Sequence, residues 1–143
     1  MSFATPNAAQ TYAKVGLETS VATASPHQLI LMLYDGALLA IAKASNAMQQ
    51  KQVAEKGQAI SQAIDIISSG LAASLDFSTA DELANRLAAL YDYMCRRLLH
   101  ANLHDDQAAL NEVTFLLGEI KSAWEEIADA PAVLAHQKNK VAA

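Results

Sequence analysis

Two clusters in this sequence carry side chains whose types and spacing could do chemistry. In "HANLHDD", His100 and His104 stand four apart with Asp105 and Asp106 beside them. That spacing sets two imidazoles on one helix face, with carboxylates in reach of the same metal ion. In "YMCRRL", the single cysteine, Cys95, precedes Arg96 and Arg97, whose charge would lower a thiol pKa if the geometry brought it to the sulfur. Each cluster has a plainer account. Histidines at a helix C-terminus complement its dipole, and a lone cysteine on an apolar helix behaves as a small buried hydrophobe. Di-iron helical bundles need Glu-x-x-His on two helices together with inward glutamates, yet no Glu here has His three residues later. A Gly-rich phosphate loop and a Gly-x-Ser-x-Gly elbow are also missing. No catalytic residue, cofactor or metal is therefore expected, and a four-helix metal or redox protein is a distant alternative.

The elements that would position these side chains follow from composition and periodicity. The chain has 143 residues, 52% of them apolar, with five Gly and three Pro. That length suffices for one domain with a real core, and an alanine-rich, glycine-poor chain favours helix. A single cysteine rules out an internal disulfide and makes a reducing cytosol the expected compartment. The N-terminus lacks the basic and apolar regions of a signal peptide. The apolar run of residues 29–34 is far short of the ~18–20 residues of a membrane span, so no membrane insertion is expected. Net charge is −5 and the ten Lys and Arg are scattered. Nucleic acid, which needs a basic face, is not an expected partner.

Four segments show helical periodicity and none alternates as a strand would. Residues 26–50, with Ser25 as N-cap and Pro26 at the first helical position, carry the stripe Ile30, Leu33, Ala37, Ile41, Ala44 and Met48. Residues 53–74 carry Val53, Gly57, Ile60, Ile64, Ile67, Leu71 and Leu75. A third helix from Ser78 or Thr79, with Asp81 and Glu82 in its first turn, carries Leu83, Leu87, Leu90, Met94, Leu98 and Ala101. A fourth from Asp105 carries Leu110, Val113, Leu117, Ile120, Trp124 and Ile127. Short connections predict an all-α, antiparallel up-down-up-down four-helix bundle over residues 25–128. Residues 1–24 are expected to form a short helix or arm docked on it, and residues 129–143, after the helix is broken near Pro131, a flexible tail.

Apolar residues remain once those stripes are assigned. Leu29, Ile30, Leu31, Met32, Leu33 and Tyr34 follow one another and so cover the whole circumference of a helix, more than one core can bury. Ile30 and Leu33 are expected in the core, and Leu29 and Met32 are left open. Leu31, Tyr34 and Leu38 form a second face, while Ala59, Ala63, Ile66, Gly70 and Ala73 form a row that another backbone could approach closely. A second chain is the natural occupant of such faces.

The blocks "TYAKVGLETSVATASPHQLILMLYDGAL", "AIDIISSGLAASLDF", "LYDYMCRRLLHANLHDD" and "EVTFLLGEIKSAWEEI" resemble, in order and spacing, the flagellin export chaperone family, FliS, over residues 11–127. The resemblance implies a cytosolic helical bundle that binds the C-terminal segment of flagellin. Such a protein prevents premature polymerisation and helps deliver its client to the flagellar type III export apparatus. It also implies that Tyr12, with Val15 beside it, caps or lines the binding region. Tyr34 and Asp35 match one of the family's Tyr-Asp blocks, and Tyr91, Asp92 and Tyr93 match the other, either as client contacts or as buried ties between helices. Partner-binding residues are thus expected among Tyr12, Val15, Leu31, Tyr34, Leu38, Ala63, Ile66, Tyr91 and Tyr93. Weak homodimerisation through the same faces is a further expectation. A helical adaptor for another amphipathic client would show the same physics, and only the family blocks separate the two.

Overall fold

The computed structural model describes residues 24–127, and every regular element among them is helical. Helix α1 spans Pro26–Gln49. Helix α2 spans Val53–Asp65 and runs on through a π-helical stretch, Ile66–Leu71, and a 3-10 turn, Ala72–Ser74. Helix α3 spans Leu83–His104 and α4 spans Gln107–Glu126. The chain is the all-α bundle of four helices that its periodicity predicts. Tyr12, Val15, the tail and all but the last residue of the expected arm lie outside the described residues.

Local chemistry sets the helix ends. Ser25 Oγ accepts from the Gln28 N–H at 3.1 Å, and Gln28 Oε1 accepts from the Ser25 N–H at 2.9 Å, a reciprocal capping box ahead of Pro26. The α3–α4 connection is Asp105, left-handed at φ 50°, followed by Asp106, whose carboxylate caps α4 at the Ala109 N–H. The α2–α3 connection corrects the sequence expectation, since α3 begins at Leu83 and not at Ser78 or Thr79. Asp76 accepts from the Ser78 N–H and Asp81 from the Leu83 N–H. These two-residue side-chain turns compete with helix and hold the stretch irregular.

The helices meet end against end. His27 Nε2, near the start of α1, donates to the Trp124 carbonyl at 2.7 Å near the end of α4, while Ser45 Oγ, near the end of α1, donates to Gln107 at 2.9 Å. The buried Lys56, early in α2, donates to the Asn102 carbonyl at 3.0 Å and pairs with Asp105 where α3 ends. The core unites Tyr34, Ala37, Ile41 and Ala44 of α1, Ile60, Ala63, Ile66, Ile67 and Leu71 of α2, Tyr91, Met94 and Leu98 of α3, and Leu110, Val113 and Leu117 of α4. By length and composition α1 would pass for a membrane span, yet its inner face is the centre of this core. Val53, Leu83 and Ile127 are instead 72%, 60% and 42% exposed. They continue the stripes past the point where neighbouring helices overlap. Ile30 and Leu33, expected in the core, are half-buried at its edge.

Candidate functional site

The residues expected to meet a partner divide sharply in the structure. Leu31 and Leu38 are half-buried along α1, and Leu38 packs against the edge of the core. Leu29 and Met32 are half-buried as well. Tyr34, Ala63, Ile66 and Tyr91 face inward, with relative exposures of 0%, 0%, 3% and 3%. Their expected placement on outward faces is corrected, because the bundle itself buries them, and for Tyr34 and Tyr91 the alternative of buried ties between helices is the one the structure has.

The physical reasons differ by helix. α2 packs extensively against α1, and Gly70 in its row of small residues admits that neighbour. A methyl group added at Gly70 would stand 3.0 Å from a Leu33 methyl. Close approach, anticipated for a client, is made by the protein's own first helix. The π-helical turn, with its i→i+5 bonding, also alters the register. It brings Ile66, Ile67 and Leu71 together onto the buried side. Ser68 Oγ donates to the Ile64 carbonyl at the entry to this turn.

The two Tyr-Asp blocks place tyrosine inward and aspartate outward, because neighbours on a helix diverge by about 100°. Tyr34 and Tyr91 share a buried hydroxyl–hydroxyl hydrogen bond of 2.5 Å that ties α1 to α3. Burial pushes both phenols above the ordinary value of 10.0, so both stay protonated and able to donate. Asp35 pairs with Lys121 at 2.7 Å and Asp92 with Arg96 at 3.0 Å. Tyr93, half-buried, donates to Glu112 at 2.5 Å, and Arg97 meets the other oxygen of that carboxylate at 2.8 Å. The hydrogen bonds from Tyr93 and then Arg97 hold the Glu112 carboxyl below its ordinary value of 4.5.

Neither cluster that could do chemistry is assembled for it. Cys95 Sγ lies 4.0 Å from the Ile64 carbonyl, and burial, reinforced by Asp92, raises the thiol pKa. The expected influence of Arg96 and Arg97 is reversed, since both guanidiniums are engaged by carboxylates of their own. His100 meets Asp106 at 3.1 Å and lies against His104 with ring centroids 4.6 Å apart and the planes tilted by 44°. Among the described residues no three His, Cys, Asp or Glu side chains gather as a metal site.

What the bundle presents outward is apolar surface that the sequence stripes did not contain. Leu99 and Leu103, one turn apart on α3, are 52% and 78% exposed. Phe115 on α4 is 64% exposed and Leu39 on α1 is 45% exposed. A leucine pair at i, i+4 off the core stripe, and one aromatic off the stripe of the fourth segment, were the available signals. Such side chains contribute nothing to the core and can still hold an amphipathic chain along the helices.

Comparison with known proteins agrees with this picture of a helical binding module. A family described as "Flagellar protein FliS" matches residues 8–131. A relative from Salmonella typhimurium (strain LT2), a "Flagellar secretion chaperone FliS", is 49% identical over 123 residues, covering 86% of this chain and 91% of the relative. One of the same description from Escherichia coli (strain K12) is 46% identical over 125 residues, 87% of this chain and 92% of the relative. Another from Bacillus subtilis (strain 168) is 35% identical over 111 residues, 76% of this chain and 80% of the relative.

Proposed function

Since the chain belongs to the FliS family of flagellar secretion chaperones, we propose that it binds the C-terminal segment of flagellin in the cytosol, keeps it from polymerising prematurely and helps deliver it to the flagellar type III export apparatus. It acts by binding, without catalysis. The client comes from the family resemblance, and the observation that carries the mechanism is the outward leucine pair, Leu99 and Leu103, on a bundle whose core is already complete.

A client segment disordered when free has its ordering cost, about 2–5 kcal/mol, set against the contacts it makes. Wide apolar contact is therefore needed for useful affinity. Leu99, Leu103, Phe115 and Leu39 supply it as exposed anchors, while Leu31, Leu38 and Tyr93 are half-buried and offer edges along the same helices. Tyr34 and Tyr91 support those helices from inside and do not touch the client.

Calorimetry with a peptide from the C-terminal end of flagellin tests this reading. Micromolar or tighter binding is expected, with Leu99→Glu and Leu103→Glu together weakening it by at least about tenfold, or ~1.4 kcal/mol. Tyr34→Phe should leave the affinity unchanged. Absence of binding at micromolar concentration, or an affinity indifferent to both leucine changes, would refute it.

A further inference from the structure

A second exposed apolar feature lies apart from those anchors, in the connection between α2 and α3. Residues 76–83 form an unbroken exposed run in which Phe77 is 57% and Leu83 60% exposed. Among the described residues no core contact explains either side chain. The run sits at the pole of the bundle where α1 begins and α4 ends, since His27 of α1 touches Trp124 of α4 and Gly70 of α2 abuts Leu33 of α1. Leu83 precedes Leu99 and Leu103 by 16 to 20 helical residues, roughly 24–30 Å at the helical rise. Both features are therefore accessible at the same time.

Charge distinguishes this pole. Asp81 and Glu82 stand between the two apolar side chains, and Glu125 and Glu126 close α4 at the same end. Among the described residues the nearby bases are Arg86, one turn into α3, and Lys121, which is bonded to Asp35. The apolar side chains are thus set in a field that repels acidic partners and attracts basic ones.

We propose that this pole docks a basic amphipathic segment of a second protein, its apolar side chains on Phe77 and Leu83 and its Lys or Arg side chains beside Asp81 and Glu82. Another copy of this chain is a poor fit. Among the described residues its Lys and Arg are scattered, and the one adjacent pair, Arg96-Arg97, is occupied by Asp92 and Glu112. The side-chain turns at Asp76 and Asp81 already order the run, so docking loses little additional freedom.

The test uses the full-length, isotope-labelled chain titrated with a synthetic Lys/Leu peptide whose leucines share one helical face, and with its Glu/Leu counterpart. Amide shifts from the Lys/Leu peptide are expected to centre on residues 75–86, with the Glu/Leu peptide silent there. Phe77→Ser with Leu83→Ser should weaken binding about tenfold or more. Asp81→Asn with Glu82→Gln should also weaken it and flatten its salt dependence. Both double variants should stay folded, the Asp81 and Glu82 changes shifting the urea midpoint only slightly through the start of α3. Both should leave the affinity for the flagellin peptide unaltered, which separates failure here from failure of the client assignment. Shifts centred on Leu99, Leu103 or Phe115, equal binding of both peptides, or an affinity unmoved by either double variant would overturn the proposal. So would a self-associated state that dissociates on Phe77→Ser.

Discussion

Tyr34 and Tyr91 show how much one buried pair decides. Their hydroxyls, 2.5 Å apart, satisfy each other where water does not reach. Tyr91→Phe should cost about 1–3 kcal/mol by leaving the Tyr34 hydroxyl with only its Trp124 partner, whereas changing both to Phe should cost less than the sum of the single changes. Urea denaturation of the four proteins checks this. At the α3–α4 seam, hydrogen bonds from Tyr93 and Arg97 lower the Glu112 carboxyl below 4.5, and that from the Ala109 N–H, followed by His100, lowers Asp106 below 3.8. Depressed folded values mean that the unfolded chain takes up protons first on acidification. This stabilisation is complete above the ordinary values and is lost as pH falls through the folded ones. The urea midpoint should drop below about pH 4.5, and Glu112→Gln should shrink the drop. That these tyrosines matter was legible in the sequence. Their inward direction was not, because it depends on which neighbours each helix meets.

Elements obey local rules that can be tested one at a time. Removing the cap with Ser25→Ala should cost about 1 kcal/mol, since the Gln28 N–H loses its acceptor. Gly118 sits within α4 with nothing within 4 Å of an added Cβ, while at Gly70 the Leu33 methyl carbons stand 3.0 and 3.2 Å away. Gly118→Ala should therefore stabilise the protein by roughly 0.5–1 kcal/mol through helix propensity alone. Gly70→Ala should fall short of that gain, and thermal unfolding of both variants distinguishes the cases. The start of α1 was plain in "SPHQ". The start of α3 was misplaced because Asp81, which resembles a first-turn acid, spends its carboxylate on the Leu83 N–H instead. The π-helical turn left no mark in the apolar spacing, as it arises from how Ile66, Ile67 and Leu71 settle together against the core.

Across the whole molecule, adjacent residues separate stability from binding. Leu98 is fully buried and Leu99 is 52% exposed. Leu98→Ala should cost about 2–5 kcal/mol, while Leu99→Ala should stay within about 0.5 kcal/mol of the parent and lower client affinity. Matched denaturation and calorimetry on the two variants would show that split. The sequence by itself determined that the chain is helical, where most helices lie, that it resembles the FliS family, and that it holds more apolar surface than one core needs. Periodicity, capping and residue order are local properties, so one dimension suffices to read them. Only the tertiary structure decided which apolar stripe faces inward. Burial belongs to pairs of helices, and α2, flanked by α1 and α3, hides Ala63 and Ile66 as well as Ile60 and Ile67. The surplus consequently appears elsewhere, on Leu39, Leu99, Leu103 and Phe115, on faces that no helix among the described residues covers.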